Sequence, residues 1–281
     1  MQQLSGRVAL VLGASRGIGR GIALELGAAG AHVHVAGRTL DPGADRPGSV
    51  MSTVADVEAL GGRATPVRCD ATSDADIASV VERIGTEHGA LHVLVNSVFD
   101  AASFGATIGK PFWELPIDAW HDIVDVGTRS AYVASVCAAP LLLAAGASDG
   151  ALIVNVSALG ARKYLYNVPY GVGKAALDKM TADMAHDLRD RGVAVVSLWP
   201  NVTRTEGIDA EILAGHTERF ERFGGADGLE TPRYHGRAVV ALAADPDRTQ
   251  HSGRYYWTGE LGEMYGFTDE NGRTHRYPKR R

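Results

Sequence analysis

Short apolar runs rich in branched residues alternate with amphipathic stretches along the whole chain, and this rhythm restricts the fold more than any other feature. RVALVLG is followed by GRGIALELGAAG, AHVHVAGR by MSTVADVEALG, ATPVRCD by DADIASVVERIGTEHG, and LHVLVN by a helix beginning near Trp120; ALIVNVS, GVGKAALDKMTADMAHDLRDRG and VAVVSLW continue the series. Strands that are apolar on both faces are covered on both faces, and short strand–helix–strand units close right-handed. The pattern therefore predicts an α/β fold, a doubly wound parallel sheet with helices on both faces, formed as a single domain over residues 1–281.

Three long connections break the rhythm, and such breaks inside a compact domain are usually functional. TLDPGADRPGSV follows the second strand, NSVFDAASFGATIGKPFWELP the fourth, and TRTEGIDAEILAGHTERFERFGGADGLETP the sixth. The last is expected to form a substrate-side lid over about 203–232, and the basic end at about 270–281 a flexible tail.

A net charge of -5 excludes a long-range pull toward nucleic acid or an anionic membrane surface. Cys69 and Cys137 are too few and too far apart for a disulfide framework, no apolar run approaches the roughly 20 residues of a membrane span, and the N-terminus enters a strand without a cleavable signal. A cytoplasmic protein is expected. No metal site is expected either: His32 and His34 form an H-x-H pair on one face of a strand, with no third ligand in view.

LVLGASRGIGRGIALEL sets Gly13, Gly17 and Gly19 directly after the first strand and at the opening of the first helix. Glycine permits the tight turn and lets backbone amides approach a pyrophosphate, which the helix N-terminus also favours. Where dinucleotide folds place an acidic residue for the ribose hydroxyls, the second strand here ends in Gly37-Arg38-Thr39. Arg38 is suited to pair with a 2′-phosphate, and Arg16 in the glycine loop to approach the same group, so NADP(H) is expected to be preferred, with NAD(H) the lesser alternative.

Ser157 follows the strand ALIVNV, and Tyr170 and Lys174 stand four apart in NVPYGVGK, one helical turn along one face. A phenol with a pKa of about 10 works near neutrality when a neighbouring cation favours its ionised form, and Lys174 is that cation. Ser157, at the carboxyl end of a central strand, is placed to hold a substrate oxygen together with the phenol.

These residues together resemble the short-chain dehydrogenase/reductases, over roughly residues 5–260. The resemblance rests on Gly13-x-x-x-Gly17-x-Gly19, Asp70, Asn96, Ser157, Tyr170-x-x-x-Lys174 and the stretch Pro200 to Thr205. It implies a Rossmann-type fold in which Tyr170 transfers the proton, Ser157 orients the carbonyl, and Lys174 lowers the tyrosine pKa and holds the nicotinamide ribose. It implies a nucleotide site built from Gly13, Ser15, Arg16, Gly17, Ile18 and Gly19, from Arg38, Thr39, Asp70, Ala71, Asn96 and Ser97, and from Pro200, Thr203 and Thr205 with Tyr170 and Lys174. Asp70 would meet the adenine, and Thr203 and Thr205 the nicotinamide end. A homodimer or homotetramer paired through the Trp120 and Tyr170 helices is implied as well. The insert before Met51, the segment SVFDAASFG and the ending YYWTGELGEMYGFTDENG look like one branch of that family.

The departures are as informative. Leu12 precedes the glycine loop where the family has threonine, the fourth strand ends Asn96-Ser97-Val98-Phe99, and Pro200-Asn201 stands where Pro-Gly is usual. In WHDIVDVGTRSAYVASV, Gly127 takes the place of the family's catalytic asparagine, at a helix-interior cost of about 1 kcal/mol relative to alanine. By the resemblance, that position carries a carbonyl that holds a water linking the lysine to solvent. Glycine keeps the carbonyl and loses the amide. The expectation is an NADP(H)-dependent carbonyl reductase or alcohol dehydrogenase acting on a bulky, largely apolar small-molecule ketone, aldehyde or alcohol, with Phe99, Phe104, Phe112, Trp113, Tyr164, Tyr166 and Trp199 lining its pocket. The alternative is an NADP-binding protein with vestigial chemistry, acting as a sensor or subunit partner.

Overall fold

Seven parallel strands form one sheet, β1 (Val8–Leu12), β2 (His32–Gly37), β3 (Arg63–Arg68), β4 (Val93–Asn96), β5 (Ala151–Val156), β6 (Val193–Trp199) and β7 (Tyr255–Trp257), in the order β3-β2-β1-β4-β5-β6-β7. The computed structural model describes residues 3–41, 43, 47–100 and 104–276; the remainder of the expected tail, residues 277–281, and parts of the first two long connections lie outside the described residues. The expected doubly wound sheet is the architecture found, and every residue of β1, β4, β5 and β6 is buried, as their continuous apolar runs require.

The helices are α1 (Gly17–Ala28), α2 (Val50–Ala59), α3 (Asp74–His88), α4 (Asp118–Gly146), α5 (Val168–Asp187), α6 (Glu206–Leu213), α7 (Pro232–Ala244) and α8 (Thr258–Tyr265). One core lies between the sheet and α1, α2 and α7, centred on Ile22, Leu26, Val54, Val239 and Leu242. The other lies between the sheet and α3, α4 and α5, centred on Ile77, Ile84, Ala134, Ala138 and Leu142. Chain reversal between β1 and β4 opens a crevice at their carboxyl ends, where folds of this kind hold ligands.

Two local features of α4 bear on the site. α4 is 29 residues long and, by length and composition, apolar enough to cross a bilayer, although no such run was expected from the sequence; its Ala134, Ala138 and Leu142 are buried in the core. Within it, His121–Arg129 is a π-helical stretch that contains Gly127. π-helical turns inside α-helices are frequent at functional sites, and this one packs against α5, which carries Tyr170 and Lys174.

Candidate active site

Backbone crowding explains the glycine loop. A Cβ at Gly13, where φ is +78°, would stand 2.5 Å from the Ser97 carbonyl oxygen, and one at Gly19 would stand 2.3 Å from the Gly13 carbonyl oxygen. The loop is thus drawn tightly between β1, β4 and α1, and Arg16 occupies the N-cap of α1 without a capping side chain. Its shape and the amides at the start of α1 fit a nucleotide pyrophosphate. The Glu206 carboxylate, which sequence reasoning did not single out, accepts the Gly17 amide hydrogen bond at 2.8 Å. Thr205 also lies over the loop, its Cγ2 3.2 Å from where a Gly17 Cβ would be.

The two expected phosphate readers stand at the end of β2. Arg16 donates to Thr39 Oγ1 at 3.1 Å and to the Gly48 carbonyl at 3.3 Å, which fixes its guanidinium beside Thr39. Arg38 is more exposed and pairs loosely with Asp100 at 3.5 Å. Asp70 turns its carboxylate onto Thr72, whose amide and hydroxyl both donate to Oδ1, and these bonds with the nearby Arg38 hold it below the usual carboxylate range against burial. The Asn96 side chain faces the other way. Its amide donates to Asn155 Oδ1 at 2.8 Å and to Ser135 at 3.4 Å, binding β4 to β5 and α4.

Tyr170 is placed by its own helix cap. Asn167, the N-cap of α5, accepts from the Tyr170 amide at 2.9 Å and donates to Thr107 at 2.9 Å, while the preceding Tyr166 takes the left-handed conformation with φ 65°. The Tyr170 ring rests against Gly160, where a Cβ would come within 2.5 Å of it. Phe99, Phe104 and Tyr166 surround it, with ring centroids 6.1, 5.1 and 5.2 Å away.

Ser157 and Lys174 lie beside it. Ser157 Oγ donates to the Lys174 carbonyl at 3.0 Å, and Lys174 Nζ donates to the Val156 carbonyl at 3.0 Å while lying 5.8 Å from the Tyr170 ring centroid. Burial, with Tyr166 adding to it, pushes the phenol well above its ordinary value. Burial likewise takes the Lys174 ammonium down to about 8, opposed by the Asp178 carboxylate. Asp178, one turn beyond Lys174, is buried and accepts from Trp199 Nε1 at 3.1 Å.

Gly127 faces a small cavity of about 10 Å³ whose walls include Phe99, Thr128, Tyr170 and Lys174. That volume is about what one water needs. Thr128 Oγ1 donates to the Gly173 carbonyl at 3.1 Å, joining the π-helical stretch to α5, and Ser130 Oγ donates to the Val126 carbonyl at 2.6 Å. A Cβ at Gly127 would meet the Val98 carbonyl oxygen at 3.6 Å, an ordinary contact, so the position has room for a side chain.

The segment after β6 crosses this crevice as α6 and short 3-10 turns. Thr203 is buried at its base, donating to the Asn201 carbonyl at 2.9 Å and sharing a hydrogen bond of 2.8 Å with His235. Glu230 accepts from the Asn201 amide at 2.7 Å, and burial pushes its carboxyl up to about 8. Asn201 itself stays out of the left-handed region, so an L-residue is tolerated where the family has glycine.

The expected aromatic lining needs correction. Phe112, Trp113 and Tyr164 are 64%, 72% and 73% exposed, and Trp199 is a core residue, its indole bonded to Asp178 and stacked on Tyr255 at 4.2 Å. Their positions in connections suggested a pocket; the chain instead sends three outward and one under the sheet edge.

Residues 7–212 match the family described as short chain dehydrogenase. Dehydrogenase/reductase SDR family member 1 of Mus musculus is 41% identical over 276 residues, covering 96% of this chain and 85% of the relative, which is the branch indicated by the insert before Met51 and the carboxyl-terminal segment. Among solved structures, a 7α-hydroxysteroid dehydrogenase complexed with NADH and 7-oxo glycochenodeoxycholic acid superposes with a TM-score of 0.76 at 24% identity, over 91% of this chain and 94% of that one. A metagenomic short-chain oxidoreductase in complex with NADP gives 0.70 at 25% identity, over 91% and 97%. With the glycine loop, the seven-stranded sheet and a relative of 41% identity along nearly its whole length, the chain belongs to the short-chain dehydrogenase/reductase family.

Proposed function

We propose that this protein is an NADP(H)-dependent carbonyl reductase or alcohol dehydrogenase for bulky, largely apolar ketones, aldehydes or alcohols, with Tyr170 as its general acid and base. The observation that carries the reading is the placement of Tyr170 among Phe99, Phe104 and Tyr166, beside Ser157 and Lys174 at the carboxyl ends of β5 and β6. Family membership supports the reaction class. Arg38 and Arg16 at the end of β2, where NAD-selective sites keep a carboxylate, support the 2′-phosphate.

The nicotinamide, when bound, supplies or takes the hydride. In the reducing direction Ser157 turns its hydroxyl from the Lys174 carbonyl to the substrate oxygen, and Tyr170 gives that oxygen its proton. The products are an alcohol and a tyrosinate, which regains a proton through the Gly127 cavity and Lys174. Lys174 must leave the Val156 carbonyl to reach the ribose and phenol, and the cation then offsets the burial that now raises the phenol pKa. The apolar walls select substrates lacking charge near the carbonyl and exclude water from the transfer. Exposed Tyr132 and Val136 on α4 and Val168 and Val172 on α5 support pairing of two copies through those helices.

Gly127 keeps a second reading open, an NADP-binding sensor or subunit with vestigial turnover. Mixing the purified protein with NADPH or NADH and a panel of bulky and small carbonyls separates them. NADPH consumption with the bulky apolar members supports the enzyme; NADPH binding without turnover of any member supports the sensor.

A further inference from the structure

Toward the amino-terminal end of β2, away from the nucleotide crevice, three histidines converge. His32 and His34 project from one face of β2, their rings stacked 5.2 Å apart, and His88, the last residue of α3, stands edge-on to both at 4.9 and 5.2 Å. One ring nitrogen from each lies within 4.8 Å of the others, and His34 Nε2 is 3.1 Å from His88 Nε2. His88, more than fifty residues from the H-x-H pair in sequence, brings a third imidazole to it.

We propose that His32, His34 and His88 form a structural site for a divalent transition metal of the zinc class. A tetrahedral ion with bonds of about 2.0–2.1 Å holds its nitrogens roughly 3.3 Å apart, so His34 and His88 already stand at ligand spacing. His32, whose Nε2 shares a 2.8 Å hydrogen bond with Thr65 Oγ1, has a ring nitrogen within 4.8 Å of the other two and would close in on the ion. For a fourth ligand, the Glu87 carboxylate lies 3.7 Å from His88 Nε2, at present shared with Arg83.

The environment suits ligation. His34 is fully buried and its Nδ1 has no partner, so the protein leaves this imidazole half satisfied. The two imidazoles now share one hydrogen bond through Nε2, one as donor and the other as acceptor; an ion between them would take a lone pair from each. Imidazole is a borderline ligand that favours zinc, cobalt, nickel and copper over magnesium and calcium. Bound there, the ion would tie the end of α3 to β2, where the outer strand β3 is the least buried of the sheet. The site rests on none of the readings of the active site.

The test uses the whole, chelator-stripped protein. Zinc affinity is measured by competition with a chromogenic chelator, coordination by the visible bands of bound Co²⁺, and melting temperature with and without zinc. The proposal expects one equivalent of zinc, intense Co²⁺ bands of a four- or five-coordinate site, and a melting temperature raised by zinc and not by magnesium. His88→Ala and His32→Gln, both at partly exposed positions, should each weaken zinc by at least about 100-fold, while His121→Ala on α4 changes nothing. Absence of stoichiometric zinc binding, or equal affinity in both ligand variants and the parent, overturns the site.

Discussion

The Glu206 carboxylate holds the Gly17 amide at 2.8 Å, so the first residue of α6 occupies the amide at the start of α1 that a pyrophosphate would take. A phosphate that takes this amide must displace the carboxylate. Glu206→Ala removes the competitor, and since one such bond contributes about 0.5–1.5 kcal/mol net, the NADPH dissociation constant should fall by about 2–10-fold. Fluorescence titration with NADPH checks it. Unchanged or weaker binding would mean that Glu206 holds α6 against the glycine loop and does not compete with the nucleotide.

Cofactor choice should reside in Arg38. Its loose, exposed pairing with Asp100 costs little to break. A charge-assisted bond to the 2′-phosphate should make Arg38→Ala weaken NADPH by roughly 1.5–3 kcal/mol and leave NADH nearly untouched. Equal losses for the two nucleotides in calorimetric titrations would assign Arg38 a role in the loop alone.

Gly127 has room for a side chain, because its Cβ would meet the Val98 carbonyl at 3.6 Å. Gly127→Asn should therefore fold normally, steady the π-helical stretch and preserve or raise turnover up to several-fold, most visibly at high pH where protons are scarce. The pH profile of kcat in the two proteins decides it. A collapse of turnover with folding and NADPH binding intact would show that the glycine makes room for substrate or another relay.

Lys174 sets a pH dependence of stability. Burial takes its folded-state value down to about 8, while an unfolded lysine titrates at about 10.4. Between these values the unfolded chain binds more protons, so this residue makes stability rise with pH across the window, and below pH of about 8 the burial cost is present in full. Relative to Lys174→Met, the nucleotide-free protein should gain up to about 3 kcal/mol over that range in urea denaturation. A constant difference between the two would contradict the buried cation.

The sheet was legible because its central strands are apolar on both faces, and the glycine loop because crowding at Gly13 and Gly19 admits no side chain. β7, three residues long, is too short for a period to register. Ser157, Tyr170 and Lys174 were found by type and spacing, but spacing does not say where a hydroxyl or an ammonium points: Ser157 faces the Lys174 carbonyl and Lys174 faces Val156. Glu206, Asp178 and His88 were missed for one reason. Each acquires its role from a residue brought near by the fold, and each alone is an ordinary helix residue.

The central claim is that the Tyr170 hydroxyl moves the proton, and Tyr170→Phe tests it most directly by keeping the ring against Phe99, Phe104 and Tyr166 while removing one oxygen. Single-turnover oxidation of bound NADPH by a carbonyl substrate, measured alongside NADPH affinity, should show binding unchanged and the chemical step slowed by about 10²–10⁴. An undiminished chemical step in Tyr170→Phe would contradict the account.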